Sequence, residues 1–145
     1  MDLSGLKWPM ISLLVVGIGW LLSSGGTNYM FNNFTKAEVG ADPARDKTDE
    51  GGLSRLGGFM MKTLRYEKAE EIFSVAMDRY PSGANFWYNQ YRLVTCKEKL
   101  EKYREAADLL EGLIQANANA IDSRVPENGN LRLRADKLIE VHELR

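Results

Sequence analysis

The sequence predicts an all-α protein: an N-terminal single transmembrane helix, then a short array of helical hairpins with a C-terminal capping helix. Three observations predict it. An apolar stretch without charge covers 8–22. From Gly52 onward, apolar residues recur at helical spacing. Pro81 then stops one periodic segment shortly before Trp87 begins another. We expect an anchor at 1–26, a linker at 27–49 and a helical domain at 50–145.

Charge divides the chain into two parts. Its 145 residues carry a formal net charge of -1, and before Lys36 only Asp2 and Lys7 are charged. Nucleic-acid binding usually requires a clustered basic face, so no nucleic-acid partner is expected. Cys96 is the single cysteine, which excludes an intrachain disulfide and favours a buried structural thiol.

The apolar N-terminal segment has three interpretations. The favoured one is a transmembrane helix from about 6 to 26, with Trp8 and Trp20 at the membrane interfaces and lipid as its partner. A cleaved signal peptide and a buried core helix are the alternatives. Lys7 favours an internal N-terminus, which would place the helical domain on the periplasmic or outer side of a bacterial-type inner membrane.

Small residues in this segment fall on one helix face. They are Ser12, Gly19, Ser23 and Gly26. Such residues allow close approach of another membrane helix, although glycine and serine are also common in membrane segments generally. The linker that follows contains the turn signals Asn32-Asn33 and Asp42-Pro43. Its part from 35 to 50 alternates in charge and lacks aromatic residues, so we expect that part to be solvated and loosely ordered.

The helical domain carries a recurring motif. Its residues in the first unit are Gly57, Tyr66, Ala69, Phe73, Ala76 and Pro81. In this order and spacing, 50–83 resembles a tetratricopeptide repeat, a unit of roughly 34 residues. A second unit at 84–119 matches through Trp87, Tyr103, Ala106 and Leu110. Its spacing exceeds that of the family by about three residues, which predicts longer helices or a longer turn at 97–102.

A further amphipathic helix is predicted at about 130–144. Repeat arrays need a terminal helix that covers their last apolar face, so we expect a cap. Docking on another subunit is the alternative. Two repeats are few for a continuous core, which suggests self-association, a bound partner or packing on a membrane complex.

No catalytic constellation is visible in the sequence. The single histidine, His142, lies in a charged helix and is expected to be a solvated surface residue. There is no glycine-rich phosphate loop and no Cys or His pair at metal-ligand spacing. We therefore expect no enzyme activity, no cofactor and no metal.

The resemblance to the repeat family implies a peptide-binding groove lined by first-helix residues. The corresponding positions are Ser54, Met61, Asn85, Tyr88 and Arg92. Ordinary surface residues are the other interpretation of this set. The expected function is a membrane-anchored protein–protein interaction scaffold, an accessory subunit that binds other subunits of a membrane complex. The alternative is a transient assembly or chaperone-like factor for such complexes.

Overall fold

The computed structural model describes residues 4–144, and within this range α-helices joined by short turns and loops are the regular secondary structure, with no strand, as predicted. The parts of the chain at 1–3 and 145 lie outside the described residues, including the first residues of the predicted anchor. The eight helices of the described range are α1 (Ser4–Leu22), α2 (Ser24–Thr35), α3 (Pro43–Lys62), α4 (Tyr66–Arg79), α5 (Phe86–Lys99), α6 (Tyr103–Gln115), α7 (Ala118–Ile121) and α8 (Asn128–Val141).

The chain divides into two units, one up to Lys36 and one from Ala37 onward. In the first unit, Gly5–Leu22 is long and apolar enough to cross a membrane. Every residue of this stretch is exposed. The interpretation as a buried core helix is therefore wrong.

The apolar helix ends four residues earlier than predicted. Ser23 interrupts it, because its hydroxyl accepts a hydrogen bond from the Gly26 amide at 3.2 Å and so caps a new helix, α2. Gly26 is buried, and a Cβ there would stand 2.3 Å from the Trp20 carbonyl oxygen. The predicted stripe of small residues is thus not continuous: Ser12 and Gly19 lie on α1, while Ser23 and Gly26 form the break.

The segment at 35–50 is not loosely ordered as predicted but mostly helical. Helix α2 runs to Thr35, and α3 begins at Pro43, so 36–42 alone is non-helical. The signal Asp42-Pro43 marks a helix start: Asp42 accepts from the Ala44 amide at 3.0 Å, and proline occupies the first turn. Capping at both helix starts overrides the polar composition.

Helices α3 to α6 form two hairpins with equal turns. Each turn has three residues, with Leu64 and Glu101 in the left-handed conformation at φ 61° and 60°. In each, the residue after the left-handed one donates to a carbonyl five positions back: Arg65 to Met60 and Lys102 to Lys97. The hairpins therefore repeat every 37 residues, and the longer turn considered for 97–102 is not present.

The core of the second unit follows the order of the helices. Helices α3, α4, α5, α6 and α8 pack against one another in sequence, and α3 also meets α5. Leu53, Met60, Ile72 and Phe73 are fully buried in the first hairpin. Helix α8 inserts Leu131, Ala135 and Leu138 into the cluster that contains Leu110 and Leu113. A C-terminal helix is present where the sequence predicted it, and it packs against α6.

Candidate interaction site on the first helices

Three arginines occupy equivalent positions in three helices. Arg55 in α3, Arg92 in α5 and Arg134 in α8 each lie nine residues before a left-handed residue, which is Leu64, Glu101 and Glu143 respectively. Helix α8 ends like the two others, since Leu144 donates to Ile139 as Lys102 donates to Lys97. We call α3, α5 and α8 the first helices because they share this register.

Arg92 reaches from α5 back to α3. Its Nη2 donates to the Ser54 carbonyl at 3.0 Å and to Asn89 Oδ1 at 2.7 Å. Its guanidinium carbon lies 4.5 Å from the centre of the Phe73 ring. A Cβ on Gly58 would stand 2.5 Å from Nη1, so the absence of a side chain at this position makes room for the guanidinium. Arg92 thus fastens the second hairpin to the first.

The electrostatic setting of Arg92 is unusual for an arginine. Burial lowers its pKa, and its guanidinium donates to uncharged acceptors on Ser54 and Asn89. The Nε atom is buried without a hydrogen-bond partner among the described residues. The contact that accompanies these bonds is aromatic: the Tyr88 ring lies 4.3 Å from the guanidinium carbon.

Tyr88 contacts a second guanidinium, that of Arg124, at 4.5 Å. Arg124 is held by Asp122 and donates to Asn85 Oδ1 at 2.9 Å. The Arg124 hydrogen bond lowers the pKa of the Asp122 carboxyl. Asn85 in turn donates its backbone and side-chain amides to Glu50 at 2.8 and 2.7 Å. The start of α5 is therefore tied both to α3 and to the loop before α8.

Arg134 repeats the contact one step along the array. It reaches from α8 back to α5, where Nη2 donates to Thr95 Oγ1 at 3.1 Å and Nε donates to Glu98 Oε1 at 3.0 Å. The guanidinium carbon lies 5.5 Å from the Tyr91 ring. Burial by itself would lower the pKa of Arg134. The hydrogen bonds that its guanidinium donates to Glu98 outweigh this effect, so the pKa of Arg134 is raised. The first helices are thus linked by equivalent arginines.

The structure brings four of the five predicted groove residues together. Ser54, Asn85, Tyr88 and Arg92 lie in this one network, but Ser54 is buried beneath Arg92. Met61 lies half-buried on α3, apart from the network. Arg134, Arg124 and Glu50 were not predicted from the sequence. The spacing of nine residues between each arginine and the left-handed residue after it could have identified Arg134, although a leucine and two glutamates are not residue types that mark a left-handed turn.

Two clefts border the first helices. One, of about 380 Å³, is lined by Val39, Asp46, Glu50, Arg79 and Tyr80 among others. The second, of about 300 Å³, lies between Glu98, Arg134, Lys137, Leu138, Val141 and His142.

His142 differs from the solvated surface residue that the sequence predicted. It is half-buried and stacks on Tyr103, with ring centroids 3.4 Å apart. Within the described range, no three His, Cys, Asp or Glu residues are grouped to hold a metal.

No protein-family model, curated protein or solved structure matches this chain. The features that bear on function are therefore the exposed apolar helix and the linked surface of the first helices.

Proposed function

We propose that this protein is a membrane-anchored protein–protein interaction scaffold built from tetratricopeptide-like hairpins, and that it serves as an accessory subunit of a larger membrane complex. The observation that carries the proposal is the pairing of a fully exposed apolar helix with a separate helical unit. An 18-residue apolar stretch at 1.5 Å per residue is roughly 27 Å long, close to the thickness of a bilayer core.

The first helices supply the partner surface in this proposal. Tyr88, Tyr91 and Arg92 are each half-buried, so part of each side chain is accessible. Tyrosine and arginine are the residue types that most often dominate interface energetics. The arginine links hold these side chains in fixed positions, which lowers the entropy lost on binding.

Helix α8 has the character of a cap. The α3 residues Leu53, Gly57 and Met60 are buried against α4. The equivalent residues of α8 are Arg132 and Asp136, which are exposed, and Ile139, which is half-buried. A polar outer face is what a terminal repeat needs for solubility. This supports an array that ends at α8 rather than one that continues through a third hairpin.

Membrane fractionation tests the anchor. We expect the full chain to stay in the membrane after carbonate extraction and Val15→Arg to reduce insertion, because arginine near a helix centre costs roughly 2.5–3.5 kcal/mol. Ser12→Ala, on the same helix, is the matched control. Release of the wild-type chain by carbonate would contradict the anchor. Protease treatment of sealed vesicles would settle the side, and digestion from the cytoplasmic face would overturn the proposed orientation.

Purification in mild detergent with mass spectrometry tests the scaffold. We expect a partner in fixed ratio with the wild type, lost with Tyr88→Ala but kept with Asp108→Ala, an exposed position on α6. Circular dichroism should show equal helicity in the three proteins. A partner that washes away would favour the transient assembly factor, and one retained by Tyr88→Ala would refute this surface.

A further inference from the structure

The first helices lie in the order α3, α5 and α8, and the two outer helices expose surfaces that are complementary to each other. Helix α3 exposes an arginine, and α8 exposes a face equivalent to the one that binds such an arginine in α3 and α5. Each arginine of the row docks on a stripe of the preceding first helix. On α3 the stripe that receives Arg92 includes Ser54 and Gly58, and on α5 the stripe that receives Arg134 includes Thr95 and Glu98.

The equivalent stripe on α8 is open. It consists of Leu133, Lys137, Glu140 and Val141, which share one helix face and are all exposed. Leu133 is 70% and Val141 61% exposed. Glu140 lies seven residues after Leu133, as Glu98 lies seven after Tyr91, so α8 presents a carboxylate where α5 binds Arg134. The 300 Å³ cleft borders this stripe at Lys137 and Val141.

The opposite end of the row has the matching donor. Arg55 is exposed and has no hydrogen bond or ion pair with any residue from 4 to 144. Gly51, one turn earlier on α3, is half-buried, and Thr48, two turns earlier, is exposed. With the 37-residue repeat they correspond to Tyr88 of α5 and to Asn85 just before it. These small residues leave the approach to this face open.

We propose that two copies of this protein associate head to tail, with α3 of one copy docked on the α8 stripe of the next. Arg55 then binds Glu140 as Arg134 binds Glu98, and the arriving helix covers Leu133. Such a contact joins two different surfaces, so it leaves both ends available and generates rings or open chains of copies. The inference does not depend on the identity of any other partner subunit.

Lys137 sets the strength of this contact. It stands at the position of Thr95, whose hydroxyl accepts from Arg134. A lysine offers no acceptor and repels an arriving arginine. The wild-type contact is therefore weak, and Lys137→Thr should strengthen it by restoring the acceptor.

Cysteine cross-linking of the full chain in detergent micelles tests the orientation. Arg55→Cys and Glu140→Cys are prepared with different affinity tags, mixed and oxidised. The native Cys96 is fully buried and should not react. We expect the 55–140 product to exceed the 55–55 and 140–140 products several-fold. Asp108→Cys reports the background from association through the apolar helix. A 55–140 yield at that background, or a dominant symmetric product, would overturn the proposal.

Charge reversal tests the pair. Arg55→Glu and Glu140→Arg should each weaken association by about tenfold, equivalent to roughly 1.4 kcal/mol. A mixture of the two variants should associate again, as measured by sedimentation in the same detergent, because Arg55 of the Glu140→Arg protein can bind Glu140 of the Arg55→Glu protein and the two introduced side chains can form the reversed pair. Equal association of all these proteins would refute the contact. If these variants still co-purify with a different protein while self-association is absent, the head-to-tail contact is refuted and the proposed scaffold function is not. Failure of the further inference can therefore be distinguished from failure of the proposed function.

Discussion

At the scale of single residues, Gly57 and Phe73 show how the hairpins pack. A Cβ on Gly57 would stand 2.5 Å from Phe73 Cε1, so the large ring fits only against glycine. In the second hairpin, 37 residues later, the same two positions hold Val94 and Leu110, both fully buried. The first hairpin therefore fills this part of its core with glycine and phenylalanine, and the second fills the same part with valine and leucine, two residues of intermediate size.

This pairing makes a testable prediction. Gly57→Val alone should lower the free energy of unfolding by about 1–3 kcal/mol or more, because the added side chain overpacks the core and displaces the Phe73 ring. Phe73→Leu alone should also destabilise, through the space that it leaves. The double variant should lose less than the sum of the two, since it copies the second hairpin. Denaturant unfolding measures all three, with Gly129→Ala, where a Cβ meets nothing within 4 Å, as the control. Strict additivity would contradict the proposed packing.

Cys96 gives a second prediction at this scale. Burial raises the pKa of its thiol to about 12, and the charge of Glu70 adds to the shift. Because the thiolate is the nucleophile, we expect no maleimide labelling of the native protein at pH 8 and one label per chain after denaturation. Mass spectrometry counts the labels. Rapid labelling of the native protein would show that the end of α5 opens readily.

At the scale of helices, Glu70 joins three elements. It accepts from Lys97 of α5 at 2.5 Å and from Lys102, in the turn before α6, at 2.9 Å, while Lys97 also pairs with Glu105. Burial by itself would raise the pKa of Glu70, but the hydrogen bonds from the two lysines outweigh it and lower the pKa. The ion pairs thus connect α4 to the second hairpin.

The sign of this shift predicts a pH dependence. A carboxyl whose pKa is lowered by folding stabilises the protein above its unfolded pKa, and this stabilisation is lost as the pH falls through the folded value. Glu70→Gln should therefore cost about 1 kcal/mol at pH 7 and become indistinguishable from the wild type once the pH lies below the folded-state pKa of Glu70. Glu67→Gln, an exposed position on the same helix, is the control. A cost that persists at low pH would assign Glu70 a packing role.

The helices also show what the sequence could predict. The hairpin of α3 and α4 was predicted because its apolar period, its small residues and Pro81 all agree. Helix α2 and the first half of α3 were missed because their polar composition resembles a linker and their starts depend on capping by Ser23 and Asp42. Four of the five groove candidates lie in one network, but the burial of Ser54 was not predicted, since it depends on contacts between residues more than 30 positions apart.

At the scale of the molecule, the second unit is a short array in which each helix packs mainly on its neighbours in the order α3, α4, α5, α6 and α8, while the first helices also contact one another. Repeat arrays of this kind gain stability from the interfaces between neighbouring repeats. A destabilising substitution at one end can therefore unfold either that end alone or the whole array. Here the first hairpin is bound to the second by Arg92, Glu50 and Glu70 in addition to apolar packing. These links favour a single cooperative transition.

Leu131→Ala tests this cooperativity. Leu131 is 1% exposed in the core between α6 and α8, so its truncation should cost about 2–5 kcal/mol. If the array unfolds as one, hydrogen exchange of the slowest amides in α3 should accelerate by the same free energy as in α6, although α3 is three helices distant. Leu133 is 70% exposed on the same helix, so Leu133→Ala should change the free energy of exchange in α3 and in α6 by less than about 0.5 kcal/mol. Acceleration confined to α6 and α8 would instead show that the first hairpin is stable without its neighbour, and the arginine and carboxylate links would then orient the hairpins without coupling their unfolding.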